Sequence, residues 1–525
     1  MKKILLFLIS LLVWSGSISL RANGILLERT QQHFESLQEA LRRAENGDTL
    51  LLESGTYLGN FIIDKTLTIK SIDTKHPAVL DGGNVGTVVT IRSDNVTLQN
   101  LQILHSGMAP RYKKSERWED LWGDSGIIVY AHSHIRLKRL FVAACDDGIT
   151  VLGSRNFEIS DSVIKNNHLS GIDIQGGQQG KVERNHIEKN EYGIDIDQWC
   201  HRKRIWRSES SNNDEEGKAV KSSYIEIIGN QIISNGSTGI HLYNANNILI
   251  EKNRVLYTGV VRKPNYKDAI EWYRWFSVQT GNAEWSNINS PNAQPMIRMA
   301  GTGISLTCES HDNTIKRNLI SGNFSYGIDI DLSHKTKIFE NRIIGNHDGI
   351  YLTNGSRNNR INSNVVEKNL QCGIGISCYD KYLLRPYDNL IFSNDIKENP
   401  FNAYDIASRE LSREEILIYL RKWREWLSDE EKEKTLANPY RLQKVIEQIK
   451  EYLFKPGYNH WDEGSHGNHY SNFDEVAEGF VDRNGDGIGE RPYPIPGGKS
   501  VDHFPLSSSS VATLEMEVPA RNAQP

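Results

Sequence analysis

Nine times between residues 126 and 374 the chain reads Gly-Ile at the head of an apolar-x-apolar alternation. The copies are Gly126-Ile127, Gly148-Ile149, Gly171-Ile172, Gly193-Ile194, Gly239-Ile240, Gly303-Ile304, Gly327-Ile328, Gly349-Ile350 and Gly373-Ile374. Uninterrupted steps are 22 to 24 residues long. Each unit carries a second alternation and an N-x-I-x-x-N element, as at Asn185 to Asn190, Asn318 to Asn323, Asn341 to Asn346 and Asn364 to Asn369. Period-2 alternation in short runs, with Asn or Gly at the corners, predicts strands joined by turns. A fixed repeat of that length predicts a solenoid whose coils stack. The expected fold is all-β, a right-handed parallel β-helix. The Asn pairs are expected to satisfy backbone groups at the corners.

The ends of such a stack expose strand edges and need covering. In FESLQEALRRAENGD, Phe34, Leu37, Leu41 and Ala44 share one helical face, and Gly47 stops it, which predicts an N-terminal capping helix. Ser412 with Glu415 makes a capping box, and Asn438-Pro439 starts a second helix. The expected organisation is a signal peptide over 1–22 and the β-helix over 23–405, with Trp-rich insertions at 200–221 and 259–300. A helical insertion follows over 406–456, and residues 457–525 close the stack. The signal reading rests on two lysines, an apolar run from Ile4 to Val13 and small residues at Ser17, Ser19 and Ala22. That run is shorter than the ~20 residues of a membrane span, so the mature chain is expected to be exported, to the periplasm, cell surface or medium, without a span.

Composition adds little except exclusions. With 61 Lys plus Arg against 66 Asp plus Glu, the net charge of -5 gives no overall basic field for nucleic acid, so any charged site is local. Five scattered cysteines argue against a disulfide framework.

In a Gly-Ile-x-Ile-x strand the isoleucines face the core and the x positions face out. The first outward column is then Thr150, Asp173, Asp195, His241, Ser305, Asp329, Tyr351 and Gly375. The second is Leu152, Gln175, Asp197, Tyr243, Thr307, Asp331, Thr353 and Ser377. Asp173, Asp195, Asp197, His241, Asp329 and Asp331 are therefore the candidate catalytic residues. Outward carboxylates one coil apart lie ~5 Å apart and two on a strand ~7 Å apart, within the range of glycosidase acid pairs. Crowding raises carboxyl pKa values, so one member serves as acid and another as base.

Insertions at 107–124, 200–221 and 259–300 border the same strands, and in or immediately beside them lie Trp118, Trp122, Trp199, Trp206, Trp272, Trp275 and Trp285. Aromatic rings beside carboxylates suit sugars, so Trp118, Trp122, Trp199, Trp206, Trp272, Trp275 and Tyr243, with Arg202 and Arg204, are the candidate substrate-binding residues. A second arrangement has the carboxylates hold Ca²⁺ against a uronate while Arg202, Lys203, Arg204 or Arg207 takes the proton, as in a lyase. In DRNGDGIGE, Asp482, Asn484 and Asp486 have the 1, 3, 5 spacing of a calcium loop, although the twelfth position is Tyr493 in place of an acid. His311 and His334, on adjacent coils near Cys308, form a weaker candidate for copper or zinc.

The segments GDTLLLESGTYLGNFIIDKTLTIKS and AVLDGG, the Gly-Ile coils and the tail with DGIG and VDHFPL resemble the NosD-type family of exported β-helix proteins, within the pectate-lyase-like superfamily. The resemblance covers about 50 to 400 and 457 to 506. It implies either carbohydrate binding and cleavage or, for the namesake members, copper-centre maturation beside an ABC transporter. The Trp-rich insertions and the predicted helical pair depart from the usual repeat. Two readings follow: a secreted polysaccharide lyase or glycoside hydrolase, and a non-enzymatic accessory or surface-binding protein.

Overall fold

A computed structural model describes residues 24–108, 124–198, 220–259, 301–377, 385–409 and 458–511. Within them the strands form three long sheets of 14, 13 and 12 members, called here sheets 1, 2 and 3. Each coil gives one strand to each sheet. Thr314–Lys316 lies in sheet 1, Leu319–Ser321 in sheet 2 and Tyr326–Asp331 in sheet 3, before the next coil begins at Lys337–Phe339. Coil-to-coil pairing is parallel throughout these strands. The only antiparallel pairs within sheet 1 are made by Ile25–Leu27 with its two neighbours at the N-terminal end.

The Gly-Ile rungs fall in one line. Ile127, Ile149, Ile172, Ile194, Ile240, Ile304, Ile328, Ile350 and Ile374 pair successively in register. All nine are fully buried, part of one continuous core. Why glycine precedes each is a matter of space. A Cβ on Gly126, Gly148, Gly171, Gly303 or Gly327 would lie 2.5 to 2.8 Å from the carbonyl oxygen of the glycine one coil on, closer than real Cβ atoms come. That Cβ would point at core side chains such as Val142 or Ile343.

The Asn pairs form ladders. The backbone N–H of Asn185, Asn230, Asn253, Asn318, Asn341, Asn364 and Asn394 each donates to the Oδ1 of the asparagine one coil on, at 2.9 to 3.1 Å. The side-chain amide of each donates to the same oxygen. Every such bond contributes about 1 kcal/mol net, and leaving one of these buried groups unpaired costs more.

At the N-terminal end, helix α1 (Leu37–Arg43) buries Leu37, Ala40 and Leu41. Lys65 Nζ donates to the carbonyls of Leu41, Arg42 and Ala44, closing the helix C-terminus. At the other end residues 458–511 continue the stack: Asp395 pairs with His469 and Ile396 with Tyr470, in parallel. There two ladders change chemistry. Asn468 donates its N–H at 2.7 Å and its amide at 3.2 Å to Asp502 Oδ2, and Asn459 donates its amide to Asp405 Oδ2 at 3.3 Å. Both aspartates are fully buried. Burial raises the carboxyl of Asp502 to about 7. The predicted signal segment lies outside the described residues, as does the predicted helical insertion from residue 410 onward.

Candidate functional site

Sheet 3 positions the candidate residues. Its register places Thr150, Asp173, Asp195, His241, Ser305, Asp329, Tyr351 and Gly375 in one column, as the alternation predicts. The second column runs alongside, with Gln175 against Asp197, Tyr243 against Thr307 and Asp331 against Thr353. The five interior breaks in the described chain all adjoin this sheet. Residues 109–123 and 260–300 precede the strands beginning at Ser125 and Thr302, and 199–219, 378–384 and 410–457 follow those ending at Asp197, Ile376 and Asp405. Trp118, Trp122, Trp199, Trp206, Trp272, Trp275, Arg202 and Arg204 fall within these breaks, outside the described residues.

Burial divides the columns. Asp173 and Asp197 are buried; Asp173 accepts from the Gln175 amide at 3.0 and 3.2 Å, and Asp197 Oδ1 takes the Gln198 N–H at 2.6 Å. Asp195, His241, Tyr243, Asp329 and Asp331 keep part of their surface accessible. The accessible share of the face thus centres on the coils from Asp195 to Asp331.

His241 is the best-oriented group there. Its Nδ1 lies 2.8 Å from Asp195 Oδ1 and its Nε2 lies 3.1 Å from Thr307 Oγ1, with the imidazole and carboxylate side chains 21 and 23 % exposed. A carboxylate at Nδ1 favours the tautomer protonated there and leaves the Nε2 lone pair facing the Thr307 hydroxyl. The rings of Tyr192 and Tyr243 flank the imidazole, with centroids at 6.1 and 6.4 Å.

Two coils along, Asp329 and Asp331 share a strand. Burial, and then the charge of Asp331, push the carboxyl of Asp329 up to about 7, against which the Ser305 hydroxyl bond at 3.3 Å works only weakly. Burial also raises Asp331, and its Oδ1 is enclosed without a hydrogen-bond partner. The column therefore holds an oriented imidazole and a carboxyl that keeps its proton near neutrality, roughly 10 Å apart at two coil spacings.

Alternation along the strand does not anticipate a third outward column, formed by the residue before each glycine. Ser170, Tyr192, Thr238 and Thr302 pair in it, as do Tyr326, Asp348 and Cys372. Ser125 Oγ meets Thr150 Oγ1 of the first column at 2.8 Å, and Tyr326 stacks on Tyr351 at 5.0 Å. Alternation is broken across the glycine: the isoleucine after it faces the core as predicted, and the residue before it does not. The tyrosines before Gly193 and Gly327 were the available signal.

The remaining candidates are resolved locally. His311 and His334 stack at 5.1 Å, but His311 Nδ1 is held by Asp312 at 2.8 Å, and His334 lies beside Glu309, which Arg357 also binds. Burial, then the Arg357 charge, lower the pKa of His334. Cys145, Cys308 and Cys372 are free thiols. Asp482 accepts the N–H groups of Gly485 and Gly487 at 2.7 and 2.9 Å, while Asn484 and Asp486 bond each other, so these oxygens are turned onto their own loop. Tyr493, at the twelfth position, is buried against Tyr470 at 4.1 Å. Among the described residues, no group of three or more His, Cys, Asp or Glu is arranged to hold a metal ion, and no helix is long and apolar enough to cross a membrane.

The family described as "Right handed beta helix region" matches residues 78–260, and that described as "Periplasmic copper-binding protein (NosD)" matches 285–415. These matches, with the parallel β-helix architecture, support a NosD-type right-handed β-helix family. Similar solved structures include the periplasmic alginate epimerase AlgG, at 13 % identity and TM-score 0.39, covering 67 % of this chain and 80 % of that one. The A-module of the Azotobacter vinelandii mannuronan C-5 epimerase AlgE6 is similar at 14 % identity and TM-score 0.42, covering 69 % and 88 %. PfbA, a surface adhesin of Streptococcus pneumoniae, is similar at 12 % identity and TM-score 0.38, covering 61 % and 85 %.

Proposed function

We propose that the protein is an exported carbohydrate-active β-helix protein that binds a polysaccharide on the outer face of sheet 3 and cleaves it, as a lyase or glycoside hydrolase. The observation that carries this reading is the Asp195–His241 contact, which orients an accessible imidazole on the same column as Asp329, whose carboxyl burial pushes up to about 7. His241 serves as base: Asp195 holds Nδ1–H and stabilises the imidazolium formed when Nε2 takes a proton. Asp329 serves as acid toward the leaving glycosidic oxygen. The two strands are roughly 10 Å apart, just beyond the ~6.5–9.5 Å between the acid and base groups of inverting glycosidases, so the side chains must lean toward each other to act on one bond.

The test is a panel of alginate, polygalacturonate, chitosan and a neutral β-glucan, assayed for new chain ends. One of the four should be cleaved, and Asp195→Asn should lower the rate by about 10²-fold or more without altering the far-UV spectrum. An intact panel that also fails to bind would sink the proposal.

A second reading, a periplasmic accessory role with copper, draws on the family match over 285–415 and the stacked His311 and His334. It has an ABC transporter as partner, as the family resemblance implies. Here His311→Ala combined with His334→Ala is expected to abolish Cu²⁺ uptake measured by titration calorimetry, and a wild-type protein that takes up no copper removes this reading.

A further inference from the structure

The hexapeptide YGIDID occurs twice in sheet 3, at Tyr192–Asp197 and Tyr326–Asp331. The register sets the copies three coils apart, through Ile194, Ile240, Ile304 and Ile328, a span of ~14 Å along the axis. Each copy presents a tyrosine before the glycine and two aspartates after it. The copies differ in what the next coil places beside the first aspartate: His241 beside Asp195, and Tyr351 beside Asp329.

That difference changes the chemistry. His241 is tilted against Tyr192 and bound to Asp195, whereas Tyr351 lies nearly parallel to Tyr326, at 22°. Room for the flat ring comes from Gly375 on the following coil, where a Cβ would sit 2.6 Å from the Tyr351 ring. Tyr351 is buried in this stack and Tyr326 keeps the accessible share. A stacked aromatic pair beside carboxyls offers an apolar plate with polar groups at its rim, which suits the face and hydroxyl edge of a sugar. A phenol has no group that accepts a proton near neutral pH in the way an imidazole does.

We infer that the two YGIDID strands are paired subsites of one elongated surface, and that the ligand is a polysaccharide strand laid along the solenoid axis, gripped at Tyr326 and reacted near His241. This rests on the carbohydrate reading above. A single ring reaches only one subsite, whereas an oligomer bridges both, and the second contact then forms at high effective concentration.

The experiment measures affinity for disaccharide through octasaccharide of whichever panel polymer binds, by titration calorimetry. Wild type should gain about 10²-fold between disaccharide and octasaccharide. Tyr326→Ala should weaken the octasaccharide about tenfold and leave the disaccharide unchanged, while Tyr326→Phe, which keeps the ring, should restore most of the loss. Equal affinity for short and long oligomers, or equal weakening of both by Tyr326→Ala, overturns the two-subsite inference while Asp195-dependent cleavage still stands. Absence of binding to every polymer overturns the carbohydrate reading and this inference together.

Discussion

Alanine at Gly327 is expected to destabilise the protein by about 3 kcal/mol or more, a large effect for one methyl group. The added Cβ would sit 2.6 Å from the Gly349 carbonyl oxygen, 2.7 Å from Ile343 Cγ2 and 3.0 Å from Asn346 Nδ2. None of these is the free end of a flexible chain. The carbonyl belongs to the next rung, the isoleucine to the core and the amide to an Asn ladder. Relief requires the coils to separate, which lengthens hydrogen bonds in all three sheets. Gly345 supplies the control: its φ is +65°, but a Cβ there meets nothing within 4 Å. Gly345→Ala should therefore cost only the left-handed backbone penalty of about 1 kcal/mol. Urea midpoints of the two variants settle the matter, and equal midpoints would refute the close-packing account of the Gly-Ile motif.

Asparagine at Asp329 should remove the acid and yet stabilise the fold. The ordinary carboxyl value is 3.8, and the folded value is about 7. Well below pH 3.8 the group is neutral in folded and unfolded chains alike. As pH rises toward 7 the unfolded chain ionises while the folded one holds its proton, so stability falls, and above pH 7 the folded state carries a crowded charge. The full shift corresponds to at most about 4 kcal/mol, and partial contact of Asp329 with solvent makes the real figure smaller. Asparagine does not titrate. Its advantage over aspartate should be small at pH 4, grow up to pH 7 and then stay level. Denaturation of both proteins at pH 4 and pH 8 tests this; the same gap at both values would show that Asp329 is not an elevated acid.

The stack was readable because its signal is redundant. Nine Gly-Ile pairs each report the same geometry, so register followed from counting, and Asp195, His241 and Asp329 fell into line without any knowledge of loops. The depth of the face was less readable. Asp173 and Asp197 occupy outward positions like Asp195, but a period-2 pattern says which way a side chain leaves the strand and nothing of what covers it. The third column escaped for a different reason. Counting back by two from Ile194 would turn Tyr192 inward, but the glycine between them is forced against the neighbouring coil, and Tyr192 and Tyr326 emerge beside His241 and Tyr351 instead.

A stack of self-complementary layers is in principle a polymer without a last unit, since each coil offers the next one what it received from the one before. The aspartates at 405 and 502 end that exchange. An amide passes a hydrogen bond onward, and a carboxylate only receives. Both ladders therefore finish on a fully buried acceptor, which takes the last amide's hydrogen bonds and has no side-chain amide of its own to hand to a further rung.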